Sequence, residues 1–246
     1  QLIIDQTPFY GESGGQIGDS GIAFNSNVQL NIKNATKPTS ELIAHEAKVT
    51  RGTIKTNDIL TLEVSVDKRS DTALNHSATH LLHAALKEIL GDHVKQSGSL
   101  VTADRLRFDY THFSPLTILE KDRIQDIVNE KIRDNLTVET RELPTKKAIE
   151  DGAMALFGEK YGDSVRVVTM SNFSKELCGG THTSATGNIG LFKIISEAGI
   201  ASGTRRIEAV TGKTAYLMVR KESQTLFSIR SILKVQPKEE ANRIKK

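Results

Sequence analysis

The stretch Asn75-His76-Ser77-Ala78-Thr79-His80-Leu81-Leu82-His83 restricts what this chain can fold into more than any other. It lies in an alanine-rich run from Thr72 to Leu90, with apolar residues at Leu74, Ala78, Leu81, Leu82, Ala85, Leu86 and Ile89. These positions cover most of a helical circumference, so the spacing predicts a central helix. Ser70 or Asp71 is the expected cap, and Gly91 the stop. His76 and His80, at i and i+4, leave one face a turn apart, where two imidazoles can grip one metal ion. Taken alone, such a pair is more often merely solvated. Cys178-Gly179-Gly180-Thr181-His182 shifts the balance: the only cysteine and another histidine share a glycine-rich turn that lets side chains converge. His76, His80, Cys178 and His182 then form a donor set for one zinc ion. A zinc-peptidase helix is excluded, because the residue after the first histidine is Ser77 rather than glutamate. His83 is expected at a polar edge of the helix, and His93 lies beyond it.

Ahead of this helix the chain reads as β. Thr7-Pro8-Phe9-Tyr10-Gly11-Glu12-Ser13-Gly14-Gly15-Gln16-Ile17-Gly18-Asp19-Ser20-Gly21 is too rich in glycine for a stable helix. It suits tight turns or a close approach of backbone to a ligand. Gly14-Gly15-Gln16 is read first as a turn and second as a loop leaning over the metal site. Its likeness to the Gly-Gly-Gln tip of peptide release factors is read as coincidence. Val28 to Ile32 and Leu60 to Val66 alternate as half-buried strands, which predicts a small barrel.

Behind the helix, Gln96 to Val101 reads as a polar loop entering a strand, and Arg105 to Tyr110 as a strand. Ser114-Pro115 is expected to open a second helix. Strands are expected at 136–143, 165–170, 191–195 and 206–210, with a short helix from Pro144 to Ile149. The expected fold is α+β: a small amino-terminal β-barrel over 1–68, an α/β core with the His-x-x-x-His helix and a mainly antiparallel sheet over 69–212, and helices over 213–246. Helices as exposed as these last ones usually lead to another domain or a dimer partner.

With 37% hydrophobic and 26% charged residues, the chain has the make-up of a soluble globular protein. No apolar stretch is long enough to span a membrane, so no membrane partner is expected. Beginning at Gln1 and entering a strand directly, the chain reads as a piece of a longer protein. One cysteine allows no internal disulfide, which points to a reducing, cytoplasmic compartment. A formal charge of +3 permits a nucleic-acid partner without arguing for one. Without tryptophan and with 5% aromatics, a stacking platform for single strands is not expected.

The stretches Thr7 to Gln16, Asn75 to His80, Cys178 to His182 and Ser202-Gly203-Thr204-Arg205-Arg206-Ile207-Glu208 resemble, in order, those of alanyl-tRNA synthetases. The resemblance covers essentially the whole chain and implies a β-barrel, an editing core and the first helices towards a dimerisation domain. It implies hydrolysis of tRNA(Ala) mischarged with serine or glycine, with Zn2+ bound, and a homodimer of the full-length protein. By motif position it implies Thr79 as the sensor of the serine hydroxyl and Gln96 as a second polar residue of the pocket. The loop Gly14, Gly15, Gln16 would stand over that pocket. Arg205 and Arg206 are candidates for phosphate contact, and neighbours on a strand face opposite ways, so one of the two is expected to make it. Four protein donors make a closed zinc site, whereas a catalytic zinc keeps a position open: either one donor stands off, His182 being the candidate, or the zinc positions the substrate while water is activated elsewhere, as by the terminal hydroxyl of the tRNA. The alternative is a non-catalytic tRNA-binding, dimer-linking segment with a structural zinc.

Overall fold

The computed structural model describes residues 1–155 and 161–245. The chain opens with β1 (Leu2–Ile3), β2 (Gly21–Phe24), β3 (Gln29–Thr36), β4 (Ala44–Arg51) and β5 (Thr61–Val64). These pair antiparallel in the order β1-β4-β3-β2-β5, a half-barrel left open between β1 and β5. Along β3 the alternation puts Leu30 and Ile32 inside and Asn31 and Lys33 outside. A bulge between Ile32 and Asn34 then shifts the period by one and turns Ala35 inward. Phe9, from the glycine-rich stretch, packs into the same small core.

Helix α1 spans Val66–Leu90 and follows β5 with only Ser65 between them. It therefore starts six residues before Thr72, and Ser70 and Asp71 lie inside it instead of capping it. Ser65 is the cap residue and makes no side-chain cap bond. The early start has a long-range cause. The Arg69 guanidinium pairs with Asp19 and donates to the Pro8 carbonyl at 2.6 Å, tying the first turns to the half-barrel. Gly91 ends the helix as expected, at φ 106°. Every residue from Thr72 to Leu86 except Leu74 is buried.

The chain continues through β6 (Gln96–Val101), β7 (Leu106–Thr111), α2 (Ile118–Arg133), β8 (Val138–Pro144), α3 (Thr145–Glu150), β9 (Ser164–Met170) and β10 (Ser174–Leu177). A 3-10 turn (Thr186–Ile189), β11 (Phe192–Ala201), β12 (Thr204–Thr211), α4 (Gly212–Leu233) and α5 (Glu240–Ile244) complete it. Two further antiparallel sheets result, β11-β12-β7-β6 and β10-β9-β8. The first carries the main core, where Leu81, Leu82 and Leu86 of α1 meet Phe108, Ile124 and Val128. Fully burying side chains of this size contributes about 1.5–3 kcal/mol each. α2 starts at Ile118 rather than at Ser114-Pro115, because Thr117 and Glu120 close a capping box. The Thr117 hydroxyl accepts from the Glu120 N–H at 3.1 Å, and the Glu120 carboxylate accepts from the Thr117 N–H at 2.8 Å. On α4 only Ala215 is buried, while Tyr216, Leu217, Phe227 and Ile232 are exposed. Among the described residues no helix is long and apolar enough to cross a membrane.

Candidate metal centre

α1 supplies His76 and His80 to one side of a buried junction, and the turn after β10 supplies Cys178 and His182 to the other. Their donor atoms all lie within 4.8 Å of one another. Cys178 Sγ is 3.4 Å from His76 Nε2 and 3.3 Å from His182 Nε2. A tetrahedral zinc ion with ordinary bond lengths holds sulfur and nitrogen about 3.5 Å apart, so both sulfur–nitrogen distances fit such an ion. The turn is held in place locally. Cys178 N–H donates to the Arg166 carbonyl at 2.9 Å, and the Arg166 guanidinium donates to the Gly180 carbonyl. Gly180 lies flat against His76: a Cβ there would run into the His76 ring and come within 2.8 Å of Gln16 Oε1. A Cβ on Gly179 would meet nothing within 4 Å.

Two of the three imidazoles are hydrogen-bonded from behind, and the third faces a carboxylate. His76 Nδ1 is 2.7 Å from Gln16 Oε1, and His182 Nδ1 is 3.1 Å from Ser77 Oγ. His80 Nδ1 faces the Glu176 carboxylate at 3.6 Å. This leaves the Nε2 atoms free to turn towards an ion. Burial pushes the Cys178 thiol up, but His76 and His80 outweigh it and hold the group well below its usual range. Burial, reinforced by His76, pushes His182 down to about 3. For His80 burial acts downward, yet Glu176 and Cys178 outweigh it and raise the group to about 9. A thiol held low in this way suits a cation, which binds the deprotonated sulfur.

The glycine-rich segment reaches this centre as a tight turn, with Gly14 at φ 57° and Gly15 at φ 82°. Ser13 and Gln16 exchange backbone bonds across it, and Val101 N–H donates to the Gly15 carbonyl at 2.7 Å. The turn thereby aims Gln16 inward, 1% exposed, where its Oε1 also accepts from Thr181 N–H at 2.9 Å. The turn and the approach to the site are one structure.

A cavity of about 260 Å³ opens beside the cluster, with Gly14, Thr79, Gln96, Ser99, Arg166 and Glu176 in its wall. Thr79 and Gln96 are thus brought to the donor set. The Thr79 hydroxyl donates to the Asn75 carbonyl at 2.9 Å. Arg205 and Arg206 are not part of the cluster. On β12 they point to opposite faces, Arg205 in a two-pronged pair with Glu197 and Arg206 bonded to Asp109 at 2.7 and 2.9 Å. His83 is not at a polar edge. α1 is buried all round at that level, and His83 Nδ1 lies 3.2 Å from Glu176 Oε1 with its ring against Phe108. His93 stays outside, exposed and bonded to His112 at 2.9 Å. Sequence reasoning missed Glu176, Arg166 and the support given by Ser77. For Glu176 a signal existed, since it stands two residues before Cys178 and a strand period of two puts both on one face.

A family model described as the threonyl and alanyl tRNA synthetase second additional domain matches residues 165–208, which include Cys178 and His182. A model described as tRNA synthetases class II (A) matches residues 1–69. An alanine-tRNA ligase of Desulfosudis oleivorans is 50% identical over 246 residues, covering 100% of this chain and 28% of that protein. Those of Myxococcus xanthus and Xanthomonas campestris are 48% and 51% identical, covering 99% and 92% of this chain and 27% and 26% of theirs. The chain thus spans about a quarter of the length of these relatives.

Proposed function

We propose, from the premise that this chain is homologous along its whole length to part of the alanine-tRNA ligases, that it hydrolyses the ester of tRNA(Ala) mischarged with serine or glycine. The observation that carries the reading is the cavity whose wall joins His76, His80 and Cys178 to Thr79 and Gln96. An alanine pocket rejects serine, which adds one hydroxyl, by only about 100-fold, so a second test is needed. Thr79 can supply it. Its hydrogen is given to Asn75, so its oxygen accepts a bond from a serine hydroxyl. Alanine in the same place leaves that oxygen unpaired. His76, His80, Cys178 and His182 would hold zinc, which when bound supplies positive charge to orient and polarise the ester. Gln96 and Ser99 offer further polar contacts from β6. In the same reading the protein works in the cytoplasm on tRNA, and the exposed face of α4 leads to a homodimer contact of the longer protein.

A second reading has an observation in its favour. Four converging donors describe a closed site, the usual form of a structural zinc. The segment would then bind tRNA without turning it over. One preparation tests both. About one zinc per chain, with serine release from serine-charged tRNA(Ala) lost on chelation and restored by zinc, is the result expected of the hydrolase. Bound zinc with no serine release supports the second reading.

Thr79→Val removes the hydroxyl and keeps the shape, and Asn75 O retains its helical N–H partner. The ratio of serine to alanine release is expected to fall about 5- to 10-fold, the worth of one neutral hydrogen bond. An unchanged ratio would remove Thr79 from the role of sensor.

A further inference from the structure

Glu176 has no part in the reading above, yet it is the most buried carboxylate among the described residues, at 3% exposed. Its place follows from the strand period. Along β10 Ser174 and Glu176 face α1, and Leu177, on the opposite side, packs into a separate core with Val165 and Val167. Cys178, two residues further on, returns to the side of Glu176. β10 and the residue just beyond its end thus present a carboxylate and a metal donor together, Cys178 N–H continuing the pairing by its bond to the Arg166 carbonyl. On α1 the receiving residues are His80 and His83, at i and i+3, which straddle the carboxylate. Glu176 Oε1 is 3.2 Å from His83 Nδ1 and accepts from the Ser174 hydroxyl at 3.3 Å. Oε2 faces His80 Nδ1 at 3.6 Å.

We propose that Glu176 is a positioning residue of the metal centre: it sets the His80 ring so that Nε2 meets the ion, and it completes the charge balance of the site. Two observations carry this. First, His80 Nδ1 is buried and has no hydrogen-bond partner. An ion on Nε2 fixes Nδ1 as N–H, and a shift of well under 1 Å then makes a charge-assisted bond to Oε2. Second, the three imidazoles are backed differently. Gln16 and Ser77, both neutral, hold His76 and His182, and the one carboxylate stands behind His80. A divalent ion with a single thiolate leaves one positive charge in a buried place, which is unfavourable without a counter-charge. Glu176 supplies it. His83 and Ser174 keep the carboxylate bonded, so that its own burial is tolerated. The proposal rests on reading the four donors as a metal site.

The test is zinc affinity by chelator competition, with the ligand-field absorption of the cobalt-loaded protein as second readout. Glu176→Gln keeps the shape and removes the charge. It is expected to weaken zinc about 10- to 100-fold and to shift the cobalt bands, with the melting temperature of the metal-free protein unchanged. Glu176→Asp keeps the charge and is expected to recover part of the affinity. Wild-type affinity and an unshifted cobalt spectrum in Glu176→Gln would overturn the proposal. So would an equal drop in melting temperature with and without metal, which is the mark of a merely structural residue. A wild-type protein that binds no zinc overturns the metal site itself, a different failure from either of these.

Discussion

Replacing Cys178 by alanine is expected to weaken zinc binding by about 100- to 1,000-fold while the chain stays folded. A four-donor zinc site is worth about 10–16 kcal/mol, so one donor accounts for about 2.5–4 kcal/mol. Cys178 lies at the upper end of that range for two reasons. Its sulfur is the atom on which His76 and His182 both converge, at 3.4 and 3.3 Å. It is also the one anionic donor of the four. The fold has other supports. Cys178 only edges the main core, whose centre is Leu81, Leu82, Phe108 and Ile124. Chelator competition measures the affinity, and circular dichroism checks the fold. In the hydrolase reading, serine release falls in step with bound metal. Wild-type affinity in the variant would place the ion elsewhere, and full serine release by the metal-free variant would take the metal out of the function.

The two adjacent glycines of the turn are expected to behave oppositely. Gly180→Ala sets a methyl group inside the His76 ring, and the ring cannot step aside cheaply. It is fixed on α1, and Gln16 holds its Nδ1 at 2.7 Å. The remaining escape is for the turn to lift, which carries His182 away with it. Zinc affinity is expected to fall about 100-fold or more, and overpacking of this kind destabilises by about 1–3 kcal/mol. Gly179→Ala meets open space and keeps an ordinary backbone conformation, so zinc affinity is expected to stay within about 2-fold. Each change adds the same methyl group one residue apart, so propensity effects cancel between them. Equal zinc affinities in the two variants would show that the turn does not lie against His76 as described.

The donor set was legible because its spacings are local. A four-residue step on a helix and a five-residue turn can be read without knowing the fold. What surrounds the donors was not legible, because the partners lie far apart in the chain. Gln16 meets His76 across 60 residues, Glu176 meets His83 across 93, and Arg206 meets Asp109 across 97. His83 was misplaced for the same reason: whether a helix has a polar edge depends on what packs around it. The start of α1 was hidden because Asp67-Lys68-Arg69-Ser70 has no apolar period, and its Arg69 is tied to Asp19 and Pro8, far back in the chain. α2 is a different case. Thr117-Ile118-Leu119-Glu120 carries the capping signature in plain view, and Ser114-Pro115 offers a competing start signal just ahead of it. β4 lacks the alternating mark of a half-buried strand, because its outer half, Lys48 to Arg51, is exposed throughout, Val49 included. The exposed face of α4 was foreseen from its scattered apolar residues.

The single residue between β5 and α1 limits how a chain of this kind can change its length. An α-helix turns by about 100° and rises 1.5 Å with each residue. One residue inserted between Arg69 and His76 would swing both donor imidazoles off the face they share with the turn, or else pull Arg69 away from Asp19. One deleted there does the reverse. The connection at 53–59, exposed apart from Ile54, can lengthen without either consequence. Insertions and deletions are therefore expected to accumulate in that surface loop. The interval from Arg69 to His76 is then better thought of as a ruler, with the anchor on the half-barrel as its fixed end and the histidines as its mark.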